Sequence, residues 1–248
     1  MRKASAGNGD VLLNIEKLST GYGGVPVVRD LDLTVHAGEV VALLGPNGAG
    51  KTTTLLTISG LLPILGGGIT VFGESVASMA PYKIAHGGLA HVVEDRSLFF
   101  DLSVQENLRL GLTGDRAGRA KAYERAMDMF PALEPLMSRR AGLLSGGEQQ
   151  MLAMARALVS GPRLLLVDEM SLGLAPIIVQ RLLPIVRQVA DETGAGVLLV
   201  EQHVHMSLTV ADRAYVMSHG EVVLTGDAQE LAKRRDLLEA SYLGSATL

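Results

Sequence analysis

Two kinds of apolar run alternate along this chain. Short runs with almost no polar break, Glu39–Leu44, Leu89–Val93, Arg163–Val167 and Val197–Val200, read as strands buried on both faces. Val11–Leu18, Val25–Val28, Leu31–Val35 and Ile69–Phe72 also read as strands, punctuated by Gly21, Gly23-Gly24 and Ala37-Gly38. Ala214–Met217 and Val222–Thr225, joined by Ser218-His219-Gly220-Glu221, predict a hairpin. The helical period shows elsewhere. Tyr123, Ala126, Met127 and Phe130 fall at i, i+3, i+4 and i+7 with charges on the other side, which predicts a helix over 117–130 stopped by Pro131. Ser103-Val104-Gln105-Glu106 matches a capping box and starts a helix at Val104 that runs to about Leu112. Further helices are expected from Lys51 to Leu62, from Ser145 with Met151, Leu152, Met154, Ala155, Leu158 and Val159 on one face, and from Pro176 to about Glu192 with a kink at Pro184. The tail from Asp227 reads as short helices.

Residues 95–160 are thus mostly helical inside a strand–helix alternation. This predicts an α/β fold with an antiparallel β part and an inserted helical subdomain, all within one domain over 10–248. Residues 1–9 hold two basic residues and no apolar segment, so they are expected to form a short disordered leader rather than a signal peptide.

Composition narrows the partners. Against 26 acidic residues stand 22 basic ones, a net charge of −4, so there is no global basic field for nucleic acid. With no cysteine, disulfides and cysteine-ligated metals are excluded, and a reducing cytoplasm is the natural setting. The mean hydropathy of +0.28 is high. The uncharged stretch 52–73 is nevertheless broken by Pro63 and Gly66-Gly67-Gly68, whereas a spanning helix needs about 20 mostly apolar residues in sequence.

The chemistry centres on Gly45-Pro46-Asn47-Gly48-Ala49-Gly50-Lys51-Thr52-Thr53, between a strand and a helix. Glycines let backbone N–H groups wrap a polyphosphate, the lysine reaches its outer phosphates, the hydroxyl of Thr52 suits Mg²⁺, and the helix N-terminus faces the anion. A second anion site is expected at Ser145-Gly146-Gly147-Glu148, where a serine and bare N–H groups open a helix. Asp168-Glu169 closes a buried strand, where an aspartate can hold Mg²⁺ and a glutamate can act on water. Tyr22, flanked by glycines, could be an ordinary turn residue or a platform for an adenine ring.

The order of phosphate loop, Leu144-Ser145-Gly146-Gly147-Glu148-Gln149-Gln150 and Leu164–Glu169 resembles the ATP-binding cassette ATPases of membrane transporters, over roughly residues 10–245. The runs LSGGEQQMLAMARAL, SLGLAPIIV, VEQ and ADRAYVM are similar to the second ATPase subunit of branched-chain amino-acid importers. The resemblance implies a P-loop NTPase at the cytoplasmic face of the membrane that uses ATP and Mg²⁺. It also implies two permease subunits, a related ATPase or a second copy as partner, and a solute-binding protein acting indirectly. Two subunits would close head to tail around two ATP molecules. The phosphate loop of one would then face Ser145, Gly146, Gly147 and Glu148 of the other.

Within that frame Lys51, Glu169 and Gln202 are the implied catalytic residues. Thr52, Asp168 and Glu94 are the implied Mg²⁺ residues, and Tyr22 is implied to stack adenine. Three positions depart from the general cassette pattern: Glu94 for glutamine, Gln202 for the switch histidine and Ala175 for aspartate. All three are similar to the branched-chain subgroup and so fit that narrower likeness, while Gln202 and Ala175 leave open an ATP-gated clamp in which hydrolysis is incidental. A separate alternative is an importer subunit for another small polar solute, such as urea, an amide or another amino acid.

Overall fold

The computed structural model describes residues 10–234 together with Asp236 and Leu238. The leader 1–9 and most of the tail after Arg234 lie outside the described residues.

Two sheets organise the chain. The first is antiparallel, in the order β2-β1-β4-β5, from β1 Val11–Tyr22, β2 Val25–His36, β4 Ile64–Val71 and β5 Glu74–Ser75. The second has six strands in the order β10-β9-β3-β8-β7-β6. Its members are β3 Val40–Leu44, β6 Leu89–Val92, β7 Leu164–Asp168, β8 Gly196–Glu201, β9 Arg213–Ser218 and β10 Glu221–Asp227. All neighbours in it pair parallel except β9 and β10, the expected hairpin. Every residue of β3, β7 and β8 is buried, which accounts for the high hydropathy. No helix among the described residues is long and apolar enough to cross a membrane.

Helix α1, Lys51–Ile58, packs between the sheets: Leu55 and Ile58 share a core with Leu13, Ile15 and Leu33 of the first sheet and Leu43 and Val200 of the second. It ends four residues short of the expected Leu62, because Gly60 turns the chain and residues from Ile64 are drawn into β4. Helix α2, Pro81–His86, leads to β6 and was not anticipated.

Between β6 and β7 lie α3 Val104–Gly111, α4 Arg116–Met129 and α5 Gly146–Leu158, with short 3-10 turns between α4 and α5. Both serine starts are capping boxes: Glu106 N–H donates to Ser103 Oγ at 3.2 Å, and Ser103 N–H donates back to Glu106 Oε2 at 2.8 Å. Met127, Phe130, Leu152 and Leu158 bury one face of this helical group in a core shared with Val167 and Val197 of the sheet and Val186 of the helix 176–193.

Helix α6 runs Pro176–Thr193. Pro184 lies on its exposed face together with Gln180, so the missing hydrogen bond falls on the solvent side. The short helix α7, Val204–Leu208, was also unanticipated, and α8 covers Ala228–Lys233.

The antiparallel sheet departs most from local pattern. Val25–Val28 and Leu31–Val35 form one strand, carried past Arg29-Asp30 with Asp30 at φ 47°. Opposite, Lys17 at φ 46° makes a bulge in β1, where the register against both β2 and β4 slips. Gly67, at φ 72°, sits against that bulge: an added Cβ would stand 2.1 Å from Lys17 O. Gly68 has no atom within 4 Å of such a Cβ. Gly67→Ala is therefore expected to destabilise the chain by about 2–3 kcal/mol, and Gly68→Ala by no more than about 0.5 kcal/mol. Denaturant titration of the two variants side by side measures the difference; equal losses would contradict the bulge geometry.

Candidate active site

In the parallel sheet β3, β8, β7 and β6 are consecutive neighbours, so their carboxyl ends lie side by side. Ligands of open α/β sheets bind outside those ends. Each end delivers a different group: the loop 45–50 after β3, Gln202 after β8, Asp168 and Glu169 at β7, and Glu94 after β6. A cleft of about 310 Å³ opens there, lined by Asn47, Gly48, Gly50, Lys51, Thr52, Thr53, Glu94, Glu169 and Gln202, with Val27 and Leu172 at its sides. A slightly larger hollow of about 350 Å³ lies at the amino ends of the strands, beside Ala126 of α4 and Pro162. It holds none of the groups singled out by their chemistry, so volume alone does not choose the site.

The loop hugs the sheet. A Cβ on Gly45 would meet Met217 O at 2.4 Å, which explains why only glycine fits where the chain leaves β3. Lys51, 3% exposed, donates from Nζ to Gly45 O at 2.9 Å and to Pro46 O at 3.0 Å, and pairs with Glu169 Oε1 at 3.1 Å. The other oxygen, Glu169 Oε2, accepts from Gln202 Nε2 at 2.7 Å. Glu169 is itself buried and holds φ 42°, a left-handed backbone that non-glycine residues adopt at a cost. Its N–H donates to Val200 O at 3.0 Å, which anchors that turn to β8.

Asp168 is the electrostatic centre. It is 1% exposed, and neither carboxylate oxygen has a hydrogen-bond partner. Burial pushes its pKa up from the ordinary 3.8 to about 6; the nearby Thr52 hydroxyl counters this only in part and makes no bond of good geometry. Two orphaned anionic oxygens beside a hydroxyl suit a divalent cation. Among the described residues no group of three or more His, Asp or Glu gathers to hold a metal by itself. That fits Mg²⁺, which is held by one or two protein groups and completed by substrate phosphates and water.

Other expected residues lie off the cleft. Tyr22, 52% exposed, ends β1 at the Gly23-Gly24 turn and does not line it. Ser145 caps α5: Ser145 N–H donates to Glu148 Oε2 at 2.7 Å, and Glu148 N–H donates to Ser145 Oγ at 3.4 Å. Gly146 follows on the same exposed turn, and a Cβ on Gly147 would come within 3.1 Å of Ile178 in α6. The two sites are tied by Arg96, two residues after Glu94, whose guanidinium donates to Gln149 Oε1 and Gln150 Oε1, both at 3.0 Å.

Sequence reasoning missed two buried polar groups beside the cleft, Ser171 and Glu201. The only signal was a carboxylate closing an otherwise apolar strand.

A parallel sheet with a glycine-rich loop, a lysine and a buried aspartate at adjacent strand ends defines a P-loop nucleotide-hydrolysing domain. A sequence profile described as ABC transporter matches residues 28–171. The high-affinity branched-chain amino acid transport ATP-binding protein BraG of Pseudomonas aeruginosa is 41% identical over 94% of this chain and 100% of its own. The lipopolysaccharide export system ATP-binding protein LptB of Escherichia coli K12 is 34% identical over 94% and 97%. A solved ATP-binding subunit of an ABC transporter matches with a TM-score of 0.82 and 28% identity, over 95% of this chain and 100% of that one. The chain belongs to the ATP-binding subunits of ABC transporters. It is an ATPase of the kind that pairs with a second ATPase subunit and works with membrane permeases.

Proposed function

We propose that this chain drives uptake of branched-chain amino acids, hydrolysing ATP at the cytoplasmic face of the membrane. The observation that carries the solute is the 41% identity to BraG along essentially the whole of both chains. The cleft handles phosphate chemistry, so the solute rests on that likeness. A second solute class stays in view because LptB, named for lipopolysaccharide export, is 34% identical over a comparable span.

Within the cleft Lys51 and the N–H groups of Gly48, Ala49, Gly50 and Thr53 cradle the phosphates, with Gly45, Pro46 and Asn47 shaping the loop. Thr52 and Asp168, with Glu94 at the rim, would hold Mg²⁺, which would supply neutralisation of the phosphate charge. Glu169 is the base that orients the attacking water, and Gln202 fixes its free oxygen in the place of a histidine. Ser145, Gly146, Gly147 and Glu148 face the ATP of a partner ATPase, either a related subunit or a second copy. Tyr22 stacks the adenine once that sandwich closes.

A second hollow of about 280 Å³, lined by Val92, Phe99, Leu110 and Arg156, lies beside Arg96 and takes a cytoplasmic segment of a permease. Phe99, Phe100 and Leu110 are each more than half exposed around it.

Uptake tests the reading. In the source cell, deleting this chain is expected to abolish high-affinity entry of labelled leucine, isoleucine and valine, and the tagged wild type is expected to restore it. The restored protein should carry two polytopic permeases through purification in mild detergent. Undiminished uptake of all three solutes after deletion would overturn the assignment.

A further inference from the structure

One buried carboxylate beside the cleft has no role in the scheme above. Glu201 closes β8, is 1% exposed and does not line the cleft. Its neighbours in the strand, Val197–Val200, are all apolar, and an ionisable group at such a site carries a desolvation cost unless it is compensated. Most of the compensation comes from Ser171, which donates its backbone N–H to Glu201 Oε1 at 3.1 Å and its hydroxyl to Glu201 Oε2 at 2.5 Å, with smaller contributions from His203 and the Gln202 N–H. Ser171, 6% exposed, lies two residues beyond Glu169.

The turn after β7 is thereby pinned to β8 twice, by Glu169 N–H on Val200 O and by Ser171 on the Glu201 carboxylate. Gln202, next to Glu201 in the chain, reaches back to Glu169 Oε2 at 2.7 Å. These contacts close a ring through Glu201, Ser171, Met170, Glu169 and Gln202, from two adjacent strand ends. Glu169 needs such a frame, because its φ of 42° relaxes unless the surroundings over-determine it.

We propose that Glu201 is a positioning residue for hydrolysis: by clamping Ser171 it holds the turn that presents Glu169 to the cleft and to Gln202. This rests on reading Glu169 as the base. Glu201 touches no phosphate and acts only through Ser171.

The test compares steady-state kcat and KM for ATP hydrolysis in the full chain for Glu201→Ala, Glu201→Gln and Ser171→Ala, each with Glu169 intact and in a Glu169→Gln background. Misplacing a reacting group by about 1 Å costs roughly 10²-fold, so Glu201→Ala is expected to lower kcat by about that factor while KM for ATP stays within about threefold. Glu201→Gln should recover to within about fivefold, because its oxygen accepts the Ser171 N–H and its amide donates to the hydroxyl. In the Glu169→Gln background Glu201→Ala should cost nothing further, since the group it positions is gone. If Glu201→Ala does not fold, Ser171→Ala carries the test, with an expected loss of about tenfold that vanishes in the same background. Wild-type kcat in both Glu201→Ala and Ser171→Ala, or the same loss in both backgrounds, overturns the positioning role alone. Near-wild-type cleavage by Glu169→Gln itself overturns the base assignment and this inference with it.

Discussion

Replacing Glu169 by Gln is expected to lower steady-state ATP hydrolysis by about 10²- to 10⁴-fold and to leave ATP binding intact, the range set by losing a general base. The amide keeps the volume and loses the charge. Both current partners, Lys51 Nζ and Gln202 Nε2, are donors, so an amide at 169 can accept from only one of them. Gln202 can turn its own amide and present its oxygen, and Lys51 keeps Gly45 O and Pro46 O. The variant therefore folds with its phosphate loop in place, and the loss falls on the reaction. Phosphate release followed alongside a nucleotide-binding titration separates the two effects. A rate within tenfold of wild type would remove Glu169 from the base role, whereas a wild-type assembly that closes on ATP without steady-state turnover would favour an ATP-gated clamp.

Asp168→Asn should move activity and stability in opposite directions. If Asp168 holds Mg²⁺, hydrolysis falls by at least about 10²-fold, since the neutralisation lost is worth several kcal/mol and each 1.4 kcal/mol is tenfold. The fold gains. With a pKa of about 6 in the folded chain against 3.8 when unfolded, the carboxyl binds its proton more tightly folded, so its ionisation opposes folding. That penalty is absent below about pH 4, grows as pH rises and is complete above about 6. Removing it at pH 7.5 is worth on the order of 2–3 kcal/mol, or about 4–12 °C in Tm. Thermal melts of both proteins without nucleotide should diverge at pH 7.5 and converge at pH 4. Added Mg²⁺ and ATP should then raise the wild-type Tm by more than that of the variant. A variant that melts lower at neutral pH would mean that Asp168 is compensated in some other way.

Much of the fold could be read along the chain because its signals are local. Ser103 and Ser145 announce their helices, since a capping box is four residues long. The runs 164–167 and 197–200 announce buried strands, since burial on both faces needs no alternation. The phosphate loop is contiguous and carries its lysine and hydroxyl with it. What could not be read depends on a neighbour. Strand β4 runs through Gly66-Gly67-Gly68, against its own propensity, because β1 supplies the hydrogen bonds and its bulge at Lys17 makes room for a glycine. Asp30 does not break β2 because the strand is paired on both sides of it.

The sequence by itself determined the chemical parts: a loop that can wrap phosphates, an acidic pair closing a buried strand, and a second glycine-bearing helix start. Tertiary structure alone decided which parts meet. The order β3-β8-β7-β6 brings Asn47, Gly48, residues 50–53, Glu94, Glu169 and Gln202 to one cleft with Asp168 buried behind its wall, and it leaves Tyr22 and Ser145 outside. It also turned Ser171 and Glu201, assigned no role in the site from sequence, into a clamp behind Glu169. The physical reason is range. Capping, turns and periodicity act over a few residues, whereas strand order is set by hydrogen bonds and burial between segments that lie 32 residues apart for β7 and β8, 75 for β6 and β7 and 157 for β3 and β8, and no stretch of chain carries a local trace of them.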